Sequence, residues 1–263
     1  SGKDSSILMP TNGKVLAVIP ARWASSRFPG KPLAEILGKP VVQWVFEQAQ
    51  KASLVSDIVI ATDDQRIFDA VRAFGGKVVM TSPDHQSGTD RSAEVAKNSE
   101  CDIVVNIQGD EPLMPPENID LVIKPLLSSL DLPVSTLMIA IRSLDEMFNP
   151  NICKVVVDDK GRALYFTRAP VPYDRDSWPD AIHSTNTNTD IKGYKHIGMY
   201  AYRKSFLMQF SELKTSRLEN LEKLEQLRIL ENGYSIQVME TDQNSVGVDR
   251  PEDLTEVAQL INK

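Results

Sequence analysis

The stretch Val15-Leu-Ala-Val-Ile-Pro-Ala-Arg22-Trp-Ala-Ser-Ser-Arg27-Phe-Pro-Gly30-Lys31-Pro-Leu33 constrains this chain more than any other. Its opening is an apolar run without alternation, which reads as a strand buried on both faces, as in a parallel sheet covered by helices. The run turns into a loop carrying Arg22, Arg27 and Lys31 and no acid. Fixed cations at the carboxyl end of a first strand stand where open α/β sheets take ligands, beside a reversal of strand order. A strongly anionic ligand follows, and the loop reads as a triphosphate cradle. Small residues (Ala24, Ser25, Ser26, Gly30) let backbone N–H groups approach phosphate oxygens, while Pro20, Pro29 and Pro32 stiffen the turn. Neither G-x-x-x-x-G-K-[ST] nor G-x-G-x-x-G is present here, which disfavours P-loop kinases and Rossmann dehydrogenases.

The setting of that loop sharpens the expectation. The chain's formal net charge is −7, which argues against non-specific nucleic-acid binding and for a small anionic substrate held in a basic pocket. With 263 residues and 41% hydrophobic content it can bury a full core without staples. Cys101 and Cys153 read as reduced structural thiols, and a cytoplasmic setting is the default. No run approaches the roughly 20 apolar residues of a membrane span, and the polar first residues lack an apolar signal-peptide core. Residues 1–13 read as a flexible tail ahead of one domain over 14–263.

Along the chain the rhythm is strand and helix in turn. A helical stripe follows Lys39, a strand spans 57–61, a helix capped by Thr62-Asp63-Asp64 spans 65–74, and a strand spans 77–80. This implies parallel strands with right-handed crossovers. In Asp84-His-Gln-Ser-Gly-Thr-Asp-Arg91, Ser87 and Thr89 suit either contacts to a nucleobase or ribose or, for Thr89, a helix N-cap. His85 reads as a surface histidine. The strand 101–107 ends on Gln108-Gly109-Asp110-Glu111-Pro112, and an acid at a central strand tip can hold a divalent cation such as Mg²⁺. Asp110 is that acid, against the alternative that it caps the turn; Glu111 fits the turn role better. A helix over 117–130 and a strand over 134–141 follow.

From about 142 to 205 the pattern changes to a small antiparallel lobe. Strands 153–158 and 162–166 flank a Gly-containing turn. Two stretches, Ala169–Pro179 and Ser184–Asp190, read as loop. A strand over 195–202 aligns His196, Gly198, Tyr200 and Tyr202 on one side, suited to a polyhydroxy acid or to the core. Ser216-Arg-Leu-Glu219 opens a helix through Leu230 on which Glu225 and Gln226 read as solvated. Asp249, with Glu252 three residues later, reads as a capping box.

Taken together, Ile19-Pro-Ala-Arg22, Ser26-Arg27-Phe-Pro-Gly-Lys31-Pro-Leu, Asp84-His-Gln-Ser-Gly-Thr-Asp-Arg91, Asn106-Ile-Gln-Gly-Asp-Glu-Pro112, Ala163-Leu-Tyr-Phe-Thr-Arg168, His196-Ile-Gly-Met-Tyr200, Leu224-Glu-Gln-Leu-Arg228 and Gly247-Val-Asp249 resemble the 3-deoxy-manno-octulosonate cytidylyltransferases. The first loop is shared with sialic acid cytidylyltransferases, while Asp-His-Gln-Ser-Gly-Thr and Leu-Glu-Gln-Leu-Arg are more specific. The resemblance implies an α/β, Rossmann-like nucleotidyltransferase core with a mostly parallel sheet. It implies a Mg²⁺-dependent enzyme joining CTP and the sugar acid 3-deoxy-manno-octulosonate (Kdo) to give CMP-Kdo and pyrophosphate for lipopolysaccharide assembly, and a homodimer. Carried over by position, Ala21, Arg22, Ser26, Arg27, Lys31, Ser87, Arg91 and Asp110 would bind nucleotide. Gln108, Arg168, His196, Tyr200, Glu225 and Gln226 would bind the sugar, and Asp110 and Asp249 the metal. Arg22, Lys31, Asp110 and Asp249 would form the catalytic set. The family commonly has a small residue after that last aspartate, where this chain has Arg250. The rival readings are a sialic acid cytidylyltransferase and a catalytically silent nucleotide-sugar sensor on the same fold.

Overall fold

The computed structural model describes residues 13–178 and 191–263. Most of the expected tail, and the Thr/Asn-rich stretch 184–190, lie outside the described residues. An interior strand of the main sheet is β1 (Val15–Pro20). Its Val15, Ala17 and Ile19 pack with α1 (Val41–Gln50) and α4 (Pro116–Ser128). Leu16 and Val18 pack with α3 (Gly88–Lys97) and α6 (Lys204–Phe210) on the other face. The unbroken apolar run is therefore explained by burial on both sides, each aliphatic side chain contributing roughly 1.5–3 kcal/mol.

Parallel neighbours of β1 are β4 (Asp57–Thr62), which pairs onward with β5 (Val78–Met80), and β6 (Ile103–Asn106). Beyond β6 the order continues through β10 (Tyr194–Arg203) and β7 (Val134–Ala140) to β11 (Ile236–Glu240). Only β10 in this row runs against the others. The order reverses between β4 and β6 across β1, so the loops after β1 and β6 open side by side at one end of the sheet. That is the ligand-binding end of open α/β sheets.

The sequence assigns β10 to the antiparallel lobe, yet the structure inserts it between β6 and β7. What remains of the lobe is the hairpin β8 (Lys154–Val157) and β9 (Ala163–Thr167), joined to the main sheet through Tyr194 and Lys195. Alternation along one strand shows which side chains share a face and carries no record of its partners.

The helix expected from Ser216 through Leu230 is two short helices, α7 (Arg217–Glu222) and α8 (Leu227–Glu231). Lys223 breaks it at φ +55°, a left-handed conformation costly for a side-chain-bearing residue. Glu219 accepts from the Ser216 amide at 3.0 Å and from Arg228 Nε at 2.8 Å, tying the two helices together across the break. Leu221 is consequently left 69% exposed, while Leu224 and Leu227 are buried.

Candidate active site

The cradle loop leaves β1 with the Ala21 amide donating to the Ala61 carbonyl at 2.8 Å. It closes where the Gly30 amide donates to the Trp23 carbonyl at 2.9 Å. Gly30 sits at φ +71°, and a Cβ there would meet the Trp23 ring at 2.8 Å, so glycine is required twice over. Arg66 from α2 (Gln65–Ala73) stacks on the Trp23 ring, its Cζ 3.4 Å from the centroid. Phe28 packs with Ile36, Val41 and Val248, which anchors the loop to the carboxyl-terminal segment.

Two further segments meet that loop. Gly109 lies so close to β1 that a Cβ would stand 2.5 Å from the Pro20 carbonyl oxygen. This contact fixes the turn that delivers Asp110. The Asp110 carbonyl accepts from the Val248 amide at 2.7 Å, which brings Asp249 to the same place. Lys31 Nζ lies 3.1 Å from Asp110 Oδ2, and Arg27 lies 3.0 Å from Asp249 Oδ2. One cleft of about 350 Å³ is lined by Ala21, Arg22, Ser26, Arg27, Lys31, Ser87, Arg91, Gln108, Asp110 and Asp249. Arg27, Lys31 and Arg91 each pair with an acid and Arg22 has no acid partner among the described residues, so the four lining cations outnumber the two lining carboxylates and an anion is favoured there.

Several placements depart from the sequence reading. The last helix, α9, spans Asp253–Ile261, and Asp253, rather than Asp249, supplies the carboxylate that accepts from the Asp249 and Arg250 amides, each at 2.8 Å. The expected capping box is thus absent, and the Asp249 side chain is turned to Arg27. Arg91 lines the cleft as expected, with its side chain buried against Asp63, Thr81 and Ser82. His85 is no surface residue: it lines the cleft, with Nε2 2.6 Å from a Glu94 carboxylate oxygen. Ser87, not Thr89, caps α3 by accepting from the Asp90 amide at 3.1 Å. Glu111 does not cap the turn with its carboxylate. Burial, and then the neighbouring Asp110 charge, push its pKa up to about 7, and its Oε2 has no partner among the described residues.

A second cavity of about 400 Å³ adjoins the first and shares Pro20, Ser87, Gly88, Gln108 and Gly109 with it. His196, Tyr200, Glu225 and Gln226 line it, together with Thr89, Asn106, Cys153 and Leu224. Its chemistry differs from that of the first. Burial holds the His196 imidazole neutral, its pKa pushed down to about 3. Burial also raises the Cys153 thiol to about 11, and it raises the Glu225 carboxyl against the opposing pull of a 2.6 Å hydrogen bond from Thr89 Oγ1. Glu225 and Gln226 reach the cavity because the helix breaks just before them. Gln108 Nε2 donates to the Gly198 carbonyl at 2.8 Å, and the register of β10 on β7 shifts between Ile197 and Tyr200. Because the bulge inserts two residues, His196 and Tyr200 stay on one side.

Arg168 lines neither cavity. Its guanidinium donates to the carbonyls of Glu222 (2.7 Å) and Pro150 (3.0 Å), and the Glu222 carboxylate accepts from the Arg168 amide at 2.7 Å. It thereby braces the helix break from behind. Asn106, Thr89 and Cys153 are cavity residues for which the sequence reading made no sugar-side claim. The one sequence signal was Asn106, a polar side chain ending an apolar strand. A larger hollow of about 680 Å³ lies along α3 near the starts of β1 and β4, away from the carboxyl-end loops. Its Lys14 and Lys77 already pair with Glu100 and Asp57, so it offers little uncompensated charge.

A family profile described as cytidylyltransferase matches residues 16–238. The chain is 51% identical over 250 residues to a 3-deoxy-manno-octulosonate cytidylyltransferase of Geobacter metallireducens, covering 95% of this chain and 98% of the relative. It is 53% identical over 248 residues to the Geotalea daltonii protein of that name, covering 94% and 98%. A solved CMP:2-keto-3-deoxy-manno-octonic acid synthetase complexed with CTP superposes with a TM-score of 0.86 at 43% identity, covering 95% of this chain and 98% of the other. A 4-diphosphocytidyl-2C-methyl-D-erythritol synthase of Anaerococcus prevotii shares the fold, with a TM-score of 0.60 at 13% identity over 97% of this chain and 99% of the other.

Proposed function

The chain belongs to the 3-deoxy-manno-octulosonate cytidylyltransferases, and from that premise we infer how its two cavities divide the reaction. The enzyme transfers CMP from CTP to Kdo and releases pyrophosphate. The observation that carries the division is the pair of adjoining cavities, one cationic and one lined mostly by neutral groups, with Gln108 and Gly88 between them. The triphosphate is assigned to the first and Kdo to the second.

In this reading Arg22, Arg27 and Lys31 bind the phosphates, and Lys31 exchanges Asp110 for a phosphate oxygen when CTP enters. Ala21, Ser26 and Ser87 offer backbone and hydroxyl groups close to the nucleotide. Glu225, Gln226, His196, Tyr200 and Gln108 orient the sugar so that its anomeric hydroxyl faces the α-phosphorus in line with the departing pyrophosphate. Arg168 acts indirectly, through the wall it braces. Asp110 and Asp249 suit a hard divalent cation such as Mg²⁺, since both are oxygen donors in one cleft and no thiol joins them. Bound there, such an ion would neutralise phosphate charge. A homodimer belongs to the same proposal, with Leu164 of β9, 63% exposed, offering apolar surface on the hairpin.

No helix among the described residues is long and apolar enough to cross a membrane. A coupled pyrophosphate assay with CTP, Kdo and Mg²⁺, beside UTP and sialic acid controls, tests the reading. Release with CTP and Kdo above all other pairs is expected. Equal release with sialic acid would remove the sugar assignment, and CTP binding without turnover would favour a sensor.

A further inference from the structure

Thr136 lies on β7, fully buried, beneath the bulge of β10 that forms one wall of the sugar cavity. Its Oγ1 stands 2.7 Å from the Met199 carbonyl oxygen, 3.2 Å from the Ile197 carbonyl oxygen and 2.8 Å from His196 Nε2. A hydroxyl has one proton to give and two lone pairs. Two oxygens 2.7 Å apart need a proton between them, because both otherwise present lone pairs to each other. The Thr136 proton therefore goes to a bulge carbonyl, and the contact with His196 must be an N–H donating to Oγ1.

A neutral imidazole carries one N–H, so this assignment fixes the other nitrogen. Nδ1 is left with a free lone pair, and no donor reaches it among the described residues. His196 lines the cavity with Phe166 packed edge-on, ring centroids 5.0 Å apart, and Tyr200 at 5.5 Å, which hold the ring plane. Beside it the Glu225 carboxylate, held by Thr89, also offers oxygen lone pairs. The cavity thus presents acceptors to its ligand.

We propose that Thr136, a residue outside the cavity, is a positioning residue that locks His196 in its Nε2–H tautomer, so that Nδ1 accepts a hydrogen bond from a substrate hydroxyl. The ligand class this selects is a polyhydroxy compound offering O–H donors, and the inference rests on the assignment of Kdo to this cavity. Thr136 has a second effect in the same place. By donating to the Met199 carbonyl at 2.7 Å it holds the bulge whose Gly198 carbonyl receives Gln108. The branched side chain restricts χ1, which suits a hydroxyl that must serve three partners from one orientation.

The test combines a spectrum with kinetics on the full chain labelled with ¹⁵N-histidine. Long-range ¹H–¹⁵N correlation at pH 7 should show His196 with a protonated Nε2 and a bare Nδ1 in the free enzyme, and Thr136→Ser should keep that pattern. Thr136→Val should lose the single tautomer and raise the KM for Kdo by about tenfold, the scale of one lost neutral hydrogen bond, with the KM for CTP within about twofold. A wild-type spectrum with the proton on Nδ1 would overturn the proposal, and so would a Thr136→Val enzyme with unchanged tautomer and unchanged KM for Kdo. If Thr136→Val does not fold, the wild-type and Thr136→Ser spectra decide alone. His196→Ala is the control for the underlying reading: an unchanged KM for Kdo there would retire the sugar assignment, whichever nitrogen carries the proton.

Discussion

The two halves of the site are built on opposite principles. At the nucleotide end, charges are numerous, close in sequence and partly open to water. Arg27 and Asp249 have side chains 63% and 48% exposed, and all the cations but Arg91 come from one ten-residue loop. At the sugar end most groups are buried or half-buried and come from separate places, among them the end of β6, the first turn of α3, the start of β8, the bulge of β10 and the break after α7. The difference follows from what each end must hold. A triphosphate is recognised by net charge, which works through water and tolerates loose geometry. A sugar must be recognised hydroxyl by hydroxyl, and each polar partner has to be fixed in direction before the ligand arrives.

The largest expected effect comes from removing one charge at the open end. Asp110→Asn should lower kcat by about 10³-fold, the scale of losing one electrostatic contact to the transition state, with the thermal midpoint within a few degrees of wild type. Steady-state rates and a melting curve measure both. A near-native rate would show that the charged end does not work through this carboxylate.

Gly109→Ala asks whether position matters at that end as well as charge. The added Cβ would stand 2.5 Å from the Pro20 carbonyl oxygen, so the turn must shift. Turnover should fall by about 10²-fold, as for a displacement near 1 Å, and overpacking should cost about 1–3 kcal/mol in denaturant titrations. If activity survives intact, charge alone suffices at this end and the contrast with the sugar end is sharper still.

The smallest effect concerns the sugar end and is a matter of stability. His196 is held neutral in the fold, with its pKa pushed down to about 3 from 6.5. Its contribution is therefore complete above pH 6.5 and is lost as pH falls toward 3, because the unfolded chain takes up the proton first. The stability of wild type relative to His196→Asn should drop by roughly 2 kcal/mol between pH 7.5 and pH 5. Parallel urea titrations at the two pH values read this. A difference independent of pH would mean that the ring is solvated, and the contrast between the two ends would fail.

The same contrast explains what could be read from the sequence. The cradle was legible because strand, turn and cations are contiguous, and Asp110 because it follows a buried strand directly. The core sheet was legible from the apolar runs of β1, β4 and β6. Glu225 and Gln226 looked solvated because a regular leucine stripe implied one helix, and only the Arg228–Glu219 bond and the left-handed Lys223 reveal the break. Asp249 looked like a cap because Glu252 follows it by three residues, whereas in the fold Asp253 accepts the amides of Asp249 and Arg250. His85 was misplaced for a related reason: its partner Glu94 is set by how α3 lies on the sheet. No local pattern records that Thr136, sixty residues before His196, holds its ring.

The central claim is that Asp110 and Asp249, drawn from the loop after β6 and from the carboxyl-terminal segment, act on one cation together with the triphosphate. Electron paramagnetic resonance titration with Mn²⁺ in place of Mg²⁺, with CTP present and Kdo absent, tests it most directly. One tight Mn²⁺ per chain is expected, with affinity reduced at least about tenfold by Asp110→Asn and equally by Asp249→Asn. Either variant binding Mn²⁺ as wild type does would contradict the account.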